Sequence, residues 1–200
     1  MAASTASRAA WPGGGAAEPL RPTRVLCLGN DLIADDALGI VVARWLCRRL
    51  AAAGPPLPAG PAFDPAATVR AFDHPQAGTV EVVETALTGM YLLEAVVGAS
   101  RLIVVDTVVT GSADPGTVAM LGEDDFATAS GGSPHYIGLF EALELARGLG
   151  LDVPAEVVIV AVEAGDHFTV GGEMTAPVGA AVPVVVEQVL ALLAGVVAGA

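Results

Sequence analysis

Three carboxylates and one histidine are the residues of this chain whose types and placing could do chemistry together. Asp35 and Asp36 close a turn-like segment, Gly29-Asn30-Asp31-Leu32-Ile33-Ala34-Asp35-Asp36-Ala37-Leu38-Gly39. Asp106 interrupts an apolar run, with Leu102-Ile103-Val104-Val105 before it and Val108-Val109 after it. His135 lies in Ser133-Pro134-His135-Tyr136-Ile137-Gly138-Leu139. Each falls at an expected boundary between secondary-structure elements. The three segments can together offer two oxygen ligands and one nitrogen ligand to a metal ion at one edge of a sheet.

Each residue also has an ordinary role. An Asp before a helix is a routine N-cap, and Gly-Asn is a routine turn. One carboxylate suffices for a cap, however, so Asp35 can cap while Asp36 points elsewhere. A solvated strand end would account for Asp106, but burying a lone carboxylate is costly unless a cation or hydrogen-bond donors compensate. In the first turn of a helix, the dipole disfavours the imidazolium of His135 and keeps the ring neutral, the form a metal requires. The same residue can simply pack. His74, before Pro75, and His167, after Gly165-Asp166, are weaker candidates. No G-x-S-x-G elbow, Walker A sequence or H-E-x-x-H motif occurs. The glycine clusters at Gly13 to Ala16 and at Gly171-Gly172 do not fit a dinucleotide fingerprint.

The elements that must position these residues alternate. Arg24 to Leu28 reads as a buried strand, and Asp36 to Leu50 as a helix with acids at its start and Arg44, Arg48 and Arg49 near its end. Ala51 to about Thr68 is rich in Pro and Ala and reads as a loop, and the loop-like stretch extends to Gln76. Thr79 to Ala86 is a strand, Gly89 to Val97 a short helix and Arg101 to Val109 a strand. Thr117 to Leu121 is an antiparallel edge strand. Ser133 to Leu149 is a helix with Ser133 as N-cap and Pro134 at its first position. Glu156 to Val162 is a strand, and Ala176 to about Val197 the last helix. This alternation predicts an α/β three-layer sandwich, a mainly parallel twisted sheet of about five strands with helices on both faces. In such sheets ligands bind beyond the carboxyl ends of the strands. Asp31, Asp35, Asp36, Glu84, Asp106, Glu163, Asp166 and His167 all follow or end a strand in this reading.

The chain has 200 residues, 54% of them hydrophobic, which is enough to bury one domain core. Residues 1–22 are rich in Ala, Gly, Pro and Ser and read as a disordered tail, leaving 23–200 as a single α/β domain. The net charge of −13 argues against nucleic acid or an anionic membrane as main partner, since both select clustered positive charge. Glu187, Gln188 and Pro183 interrupt the apolar stretch at the end, so a buried helix is expected there and no membrane insertion. Cys27 and Cys47 are not spaced as C-x-x-C and read as two buried thiols in a reducing cytoplasm.

The three segments resemble the hydrogenase maturation proteases, endopeptidases that trim the C-terminal extension of the [NiFe] hydrogenase large-subunit precursor. The resemblance runs from a strand and Gly29-Asn30 through Asp35-Asp36 and Gly39, then Asp106, then Ser133-Pro134-His135 with Gly138-Leu139. It ends in the last helix, with Pro183 and Val186-Glu187-Gln188-Val189-Leu190, and so covers about Arg24 to Leu193. It implies a cytoplasmic peptidase in which Asp36, Asp106 and His135 contact nickel supplied by the precursor, with Asp36 and Asp106 as catalytic groups. It also makes Asn30 and Gly89 the candidate substrate-binding positions. The chain departs from the family in three places. Asp36 stands where Glu is common, Glu84-Thr85-Ala86-Leu87-Thr88-Gly89 keeps only the glycine of an Asp-Gly-Gly type segment, and the stretch from Ala51 to Gln76 is long. Other classes remain open on the residues alone: a non-catalytic nickel-binding maturation chaperone, or a flavodoxin-like small-molecule binding protein.

Overall fold

The strand before Gly29 forms the middle of the sheet. The computed structural model describes residues 21–58, 64–122 and 134–196, with the side chains of 134–137 outside that set. Strand β1 is Thr23–Leu28, followed by a 3-10 turn at Asp35–Ala37 and helix α1, Leu38–Ala53. Then come β2 (Ala67–His74), β3 (Gly78–Thr85), a 3-10 turn at Gly89–Leu92 and the short α2 (Leu93–Val96). The chain continues through β4 (Arg101–Val108), β5 (Val118–Gly122), α3 (Pro134–Gly148), β6 (Glu156–Glu163) and α4 (Ala176–Leu193).

The strand order is β2-β3-β1-β4-β6-β5. The four inner strands are parallel, and β2 and β5 pair antiparallel at the two edges. The sheet therefore has six strands where about five are expected. The extra one is β2, which lies in the stretch read as loop. It is an outer strand with Thr68, Arg70 and Asp73 exposed, so it lacks the continuous apolar run of a central strand. His74 is its last residue, and its Nδ1 accepts the amide of Ala77 at 3.2 Å in the hairpin turn.

Alternation along the strands builds two cores. Val25, Cys27, Ile103, Val105, Val160 and Val162 face α1 and α4. Leu26, Leu28, Leu102, Val104, Ile159 and Ala161 face α2 and α3. The result is the three-layer sandwich. Helix α4 is long and apolar enough to cross a membrane by length and composition. Here it is a core helix, with Val178, Val182, Val185, Val189 and Leu193 buried against α1 and the sheet. Helix α1 runs to Ala53, so Arg48 and Arg49 precede its last turn instead of occupying it. Of the expected tail only Arg21 and Pro22 are described. The Pro22 carbonyl accepts the amide and hydroxyl of Ser100, at 2.9 and 3.1 Å, and Arg21 pairs with Asp152.

Candidate active site at the carboxyl edge of the sheet

The chain leaves β1 for one side of the sheet, to β3, and returns from β3 to the other side, to β4. That reversal makes the carboxyl ends of β1 and β4 the switch point where α/β sheets place their ligands. Asp36 follows β1, and Asp106 and Thr107 close β4.

Two glycines seat Asp36. Gly29 has φ +156°, and a Cβ on it would lie 2.2 Å from the Asp36 carbonyl oxygen. A Cβ on Gly39 would lie 1.8 Å from the Leu28 carbonyl oxygen. Only bare backbone lets the start of α1 approach the end of β1 so closely. Asn30 completes the seat, its amide donating to the Asp36 carbonyl at 3.1 Å and its own Oδ1 accepting the Leu32 amide at 3.0 Å.

The adjacent acids have opposite roles. Asp35 is fully buried and caps no turn of its own helix. Its Oδ2 accepts the amides of Gly165 and Asp166, at 2.8 and 2.7 Å, and the Thr175 hydroxyl at 3.0 Å. Its Oδ1 accepts the Thr175 amide at 2.7 Å. Asp35 thus latches the segment after β6, up to the residue that begins α4, onto the segment after β1. The Asp35 and Ala34 amides donate back to the carbonyls of Asp166 and Thr169, at 2.9 and 3.1 Å. Asp36 is half-buried, and its Oδ1 accepts the Thr107 hydroxyl at 3.4 Å.

Asp106 is fully buried, on the α3 side of the sheet by alternation with Val104 and Val108. Its Oδ1 accepts the Thr107 amide at 2.8 Å. Thr107 therefore serves both acids, the amide for Asp106 and the hydroxyl for Asp36. The sequence reading passed over Thr107, although the period of two places it on the α1 face, beside the acidic pair.

The third element is α3. Gly138 and Gly89 meet backbone to backbone, since a Cβ on Gly138 would lie 2.3 Å from the Gly89 Cα. Gly89, with φ +59°, is the seat of α3. This contact holds the first turns of α3, and with them the backbone of His135, at the carboxyl edge. The His135 side chain is outside the described residues, as is the expected cap Ser133. Among the described residues no three His, Cys, Asp or Glu side chains form a metal group.

The other acids of this edge are committed elsewhere. Glu163 accepts the amides of Thr110 and Gly111, both at 2.8 Å, and the Thr110 hydroxyl at 2.7 Å. Glu84 pairs with Arg44 at 2.9 Å. Asp166 turns its own loop, its Oδ1 accepting the amides of Phe168 and Thr169 at 3.1 and 3.0 Å. The Thr169 side chain, then those amides, lower its pKa from the usual carboxylate value. His167 lies against the Phe168 ring, centroids 3.7 Å apart. The latched segments present Leu32, Phe168 and Val170 to solvent. Burial pushes the Cys27 and Cys47 thiols up, so both are protonated at neutral pH, and Cys47 is only partly buried.

The family model described as HycI, hydrogenase maturation protease, matches residues 68–192, more than half of the chain. This chain belongs to the hydrogenase maturation protease family. That membership places it among the peptidases. The hydrogenase 2 maturation protease of Escherichia coli K12 is 28% identical over 171 residues, 84% of this chain and 88% of that one. The hydrogenase expression/formation protein HupD of Rhizobium leguminosarum bv. viciae is 30% identical over 117 residues, and the chain spans 57% of its length. Among solved structures, the E. coli hydrogenase maturating endopeptidase HybD superposes with TM-score 0.64 at 25% identity, covering 87% of this chain and 93% of that one. The HybD of Thermococcus kodakarensis, with TM-score 0.61 at 20% identity over 86% and 99% of the two chains, shares the fold. In this chain Gly29, Asp36, Gly39, Asp106 and Gly138 all lie at the switch point just described.

Proposed function

We propose that this protein is a cytoplasmic endopeptidase that removes the C-terminal extension from a [NiFe] hydrogenase large-subunit precursor, with Asp36, Asp106 and His135 at the reacting centre. The observation that carries the proposal is Thr107, which ties Asp36 and Asp106 to one residue at the switch point. The nickel belongs to the substrate and arrives with the precursor. When bound it would supply Lewis-acid polarisation of a carbonyl or of a water. Two carboxylates and a neutral imidazole suit such an ion.

The division of labour follows burial. Asp106, fully buried and oriented by the Thr107 amide, is the fixed carboxylate of the pair. Asp36, half-buried, is the carboxylate positioned to meet incoming groups, as a ligand or as a base toward water. Water is the nucleophile in this reading, since burial keeps both thiols protonated and the sequence has no G-x-S-x-G elbow. The exposed Leu32, Phe168 and Val170 beside the site suit a protein substrate better than a small one. Asn30 and Gly89, the candidate substrate-binding positions, border the same edge, and both also have backbone duties there.

The test is incubation of nickel-loaded precursor with the protein, followed by mass spectrometry. The expected result is loss of the extension with wild type and none with Asp106→Asn. An intact precursor that nonetheless co-purifies with the protein would point to a chaperone and overturn the proposal.

A further inference from the structure

Two hollows lie between the flank of α1 and the neighbouring strands. One wall is a helical stripe in which Ile40, Arg44, Cys47 and Arg48 recur at the spacing of a single helix face. The other wall is β2, where Thr68, Arg70 and Phe72 alternate onto the same side of the sheet. The one nearer the carboxyl edge is a cleft of about 150 Å³ that includes Asn30, Asp31, Ile40, Thr68 and Glu84. Beyond it lies a cavity of about 360 Å³ bordered by Arg44, Cys47, Arg48, Pro56, Arg70 and Phe72. Arg44 stands between the two, pairing with Glu84 at 2.9 Å and Asp31 at 3.6 Å.

The charge here runs against the rest of the molecule. The chain has 9 cationic residues to 22 acidic ones, yet three of the nine border this one cavity. Glu84 answers Arg44 and, at 4.0 Å, Arg70. Among the described residues no carboxylate pairs with Arg48. The cavity thus keeps excess positive charge beside an apolar wall of Phe72, Ala51 and Pro56. Burial raises the Cys47 thiol, opposed by the neighbouring Arg70, so Cys47 is wall and not nucleophile.

We propose that this cavity binds the terminal carboxylate of an extended peptide segment. Resting on the function proposed above, that segment is the C-terminal extension of the precursor. Guanidinium forks match a carboxylate in two-pronged geometry. The apolar wall suits the last side chains of a peptide, whereas a free inorganic anion would leave it unused.

The experiment uses the isotopically labelled full chain without nickel or precursor, followed by NMR. The probes are acetyl-Val-Ala-Ser-Val-Val with a free carboxylate, the same peptide as its C-terminal amide, and inorganic phosphate. The free acid is expected to give saturable shifts at the amides of Arg44, Arg48, Arg70 and Phe72. The amide is expected to bind at least about tenfold more weakly, a difference of about 1.4 kcal/mol. Arg48 is exposed, so Arg48→Glu should weaken the acid about tenfold without moving Tm, and Arg48→Lys should restore part of it. Equal binding of acid and amide, or saturation by phosphate alone, overturns the proposal. If the wild type trims nickel-loaded precursor but the acid does not bind, this inference falls and the function stands. If the acid binds as expected and no trimming occurs, the function falls and the carboxylate site stands.

Discussion

The two ends of the sheet handle the same residue types in different ways. At the amino ends of the strands, acids are answered by arginines. Arg24 grips Glu81 at 2.8 Å and also donates to the carbonyls of Ala95 and Val97, at 2.7 and 2.9 Å. Arg101 pairs with Glu156 at 2.9 Å. At the carboxyl ends, Asp35 and Glu163 are each held by backbone amides and a threonine hydroxyl. Asp36 and Asp106 take a hydroxyl and an amide from Thr107. Neutral donors fix a carboxylate without cancelling its charge. The β3 flank is the exception, where Arg44 meets Glu84 and Asp31; around β1, β4 and β6 the neutral donors keep a negative field for a cation, while the arginine-bearing amino edge does not. The first is arranged for chemistry and the second for closure.

The largest expected effect strikes that field. Asp106→Asn keeps the shape and the Thr107 amide contact but removes the charge, and His135→Ala removes the nitrogen ligand. Each should lower precursor cleavage by at least about a hundredfold. Both should leave the far-ultraviolet spectrum native. Asp36→Glu should be the mildest change of the set, because it keeps the charge. Cleavage at the wild-type rate by His135→Ala would remove the proposed ligand set and, with it, most support for the functional reading.

Asp35 comes next, and it tests stability instead of catalysis. Truncation to Ala leaves the amides of Gly165, Asp166 and Thr175 without their common acceptor in a buried site. Losing several charge-assisted bonds at once should cost roughly 3 to 5 kcal/mol. Urea unfolding should show a lower midpoint. Proteolysis of the native protein should begin within residues 165–175, the stretch that Asp35 holds. A midpoint unchanged from wild type would mean that neutral donors at this edge contribute little, and the contrast between the edges would weaken.

Thr107→Val sharpens the comparison further. It keeps the β-branched shape and the amide to Asp106 while deleting the hydroxyl to Asp36. Cleavage should fall by about tenfold, the scale of a single neutral hydrogen bond in a site. Stability should change by less than about 1 kcal/mol. Thr107→Ser should recover most of the activity. No difference between Val and wild type would show that the position of Asp36 does not depend on the Thr107 hydroxyl.

The parts of this arrangement legible in the sequence are those that a continuous pattern advertises. Strands β1, β4 and β6 are central, so their apolar runs stand out, and an aspartate inside one of them is conspicuous. β2 is not legible as a strand, because an outer strand with Thr68, Arg70 and Asp73 exposed carries only half a pattern, after a stretch full of Pro and Ala. Without β2 nothing in the sequence sets Arg70 beside Arg44 and Arg48, and those two read as dipole partners of α1. Asp35 was legible as a cap, but its partners lie 130 to 140 residues away, beyond any local signal. Thr107 is an ordinary strand residue by type, and only its position next to Asp106, on the opposite face, marks it.

The smallest effect is expected at the arginine-bearing edge. Glu156→Gln removes the charge that faces Arg101 but leaves Arg101 bonded to the Leu192 carbonyl at 2.7 Å. The Glu156 side chain is 56% exposed, so its ion pair is screened by water and salt. The loss should be below about 1 kcal/mol and should shrink further as salt is raised. Cleavage should match wild type, since the residue begins β6 and the candidate site lies at the strand's other end. The measurement is a pair of thermal melts at low and high salt beside the precursor assay. A fall of several degrees that persists in high salt, or a loss of cleavage, would mean that the arginine-bearing edge also sets the geometry of the site. The division between an edge for closure and an edge for chemistry would then be wrong.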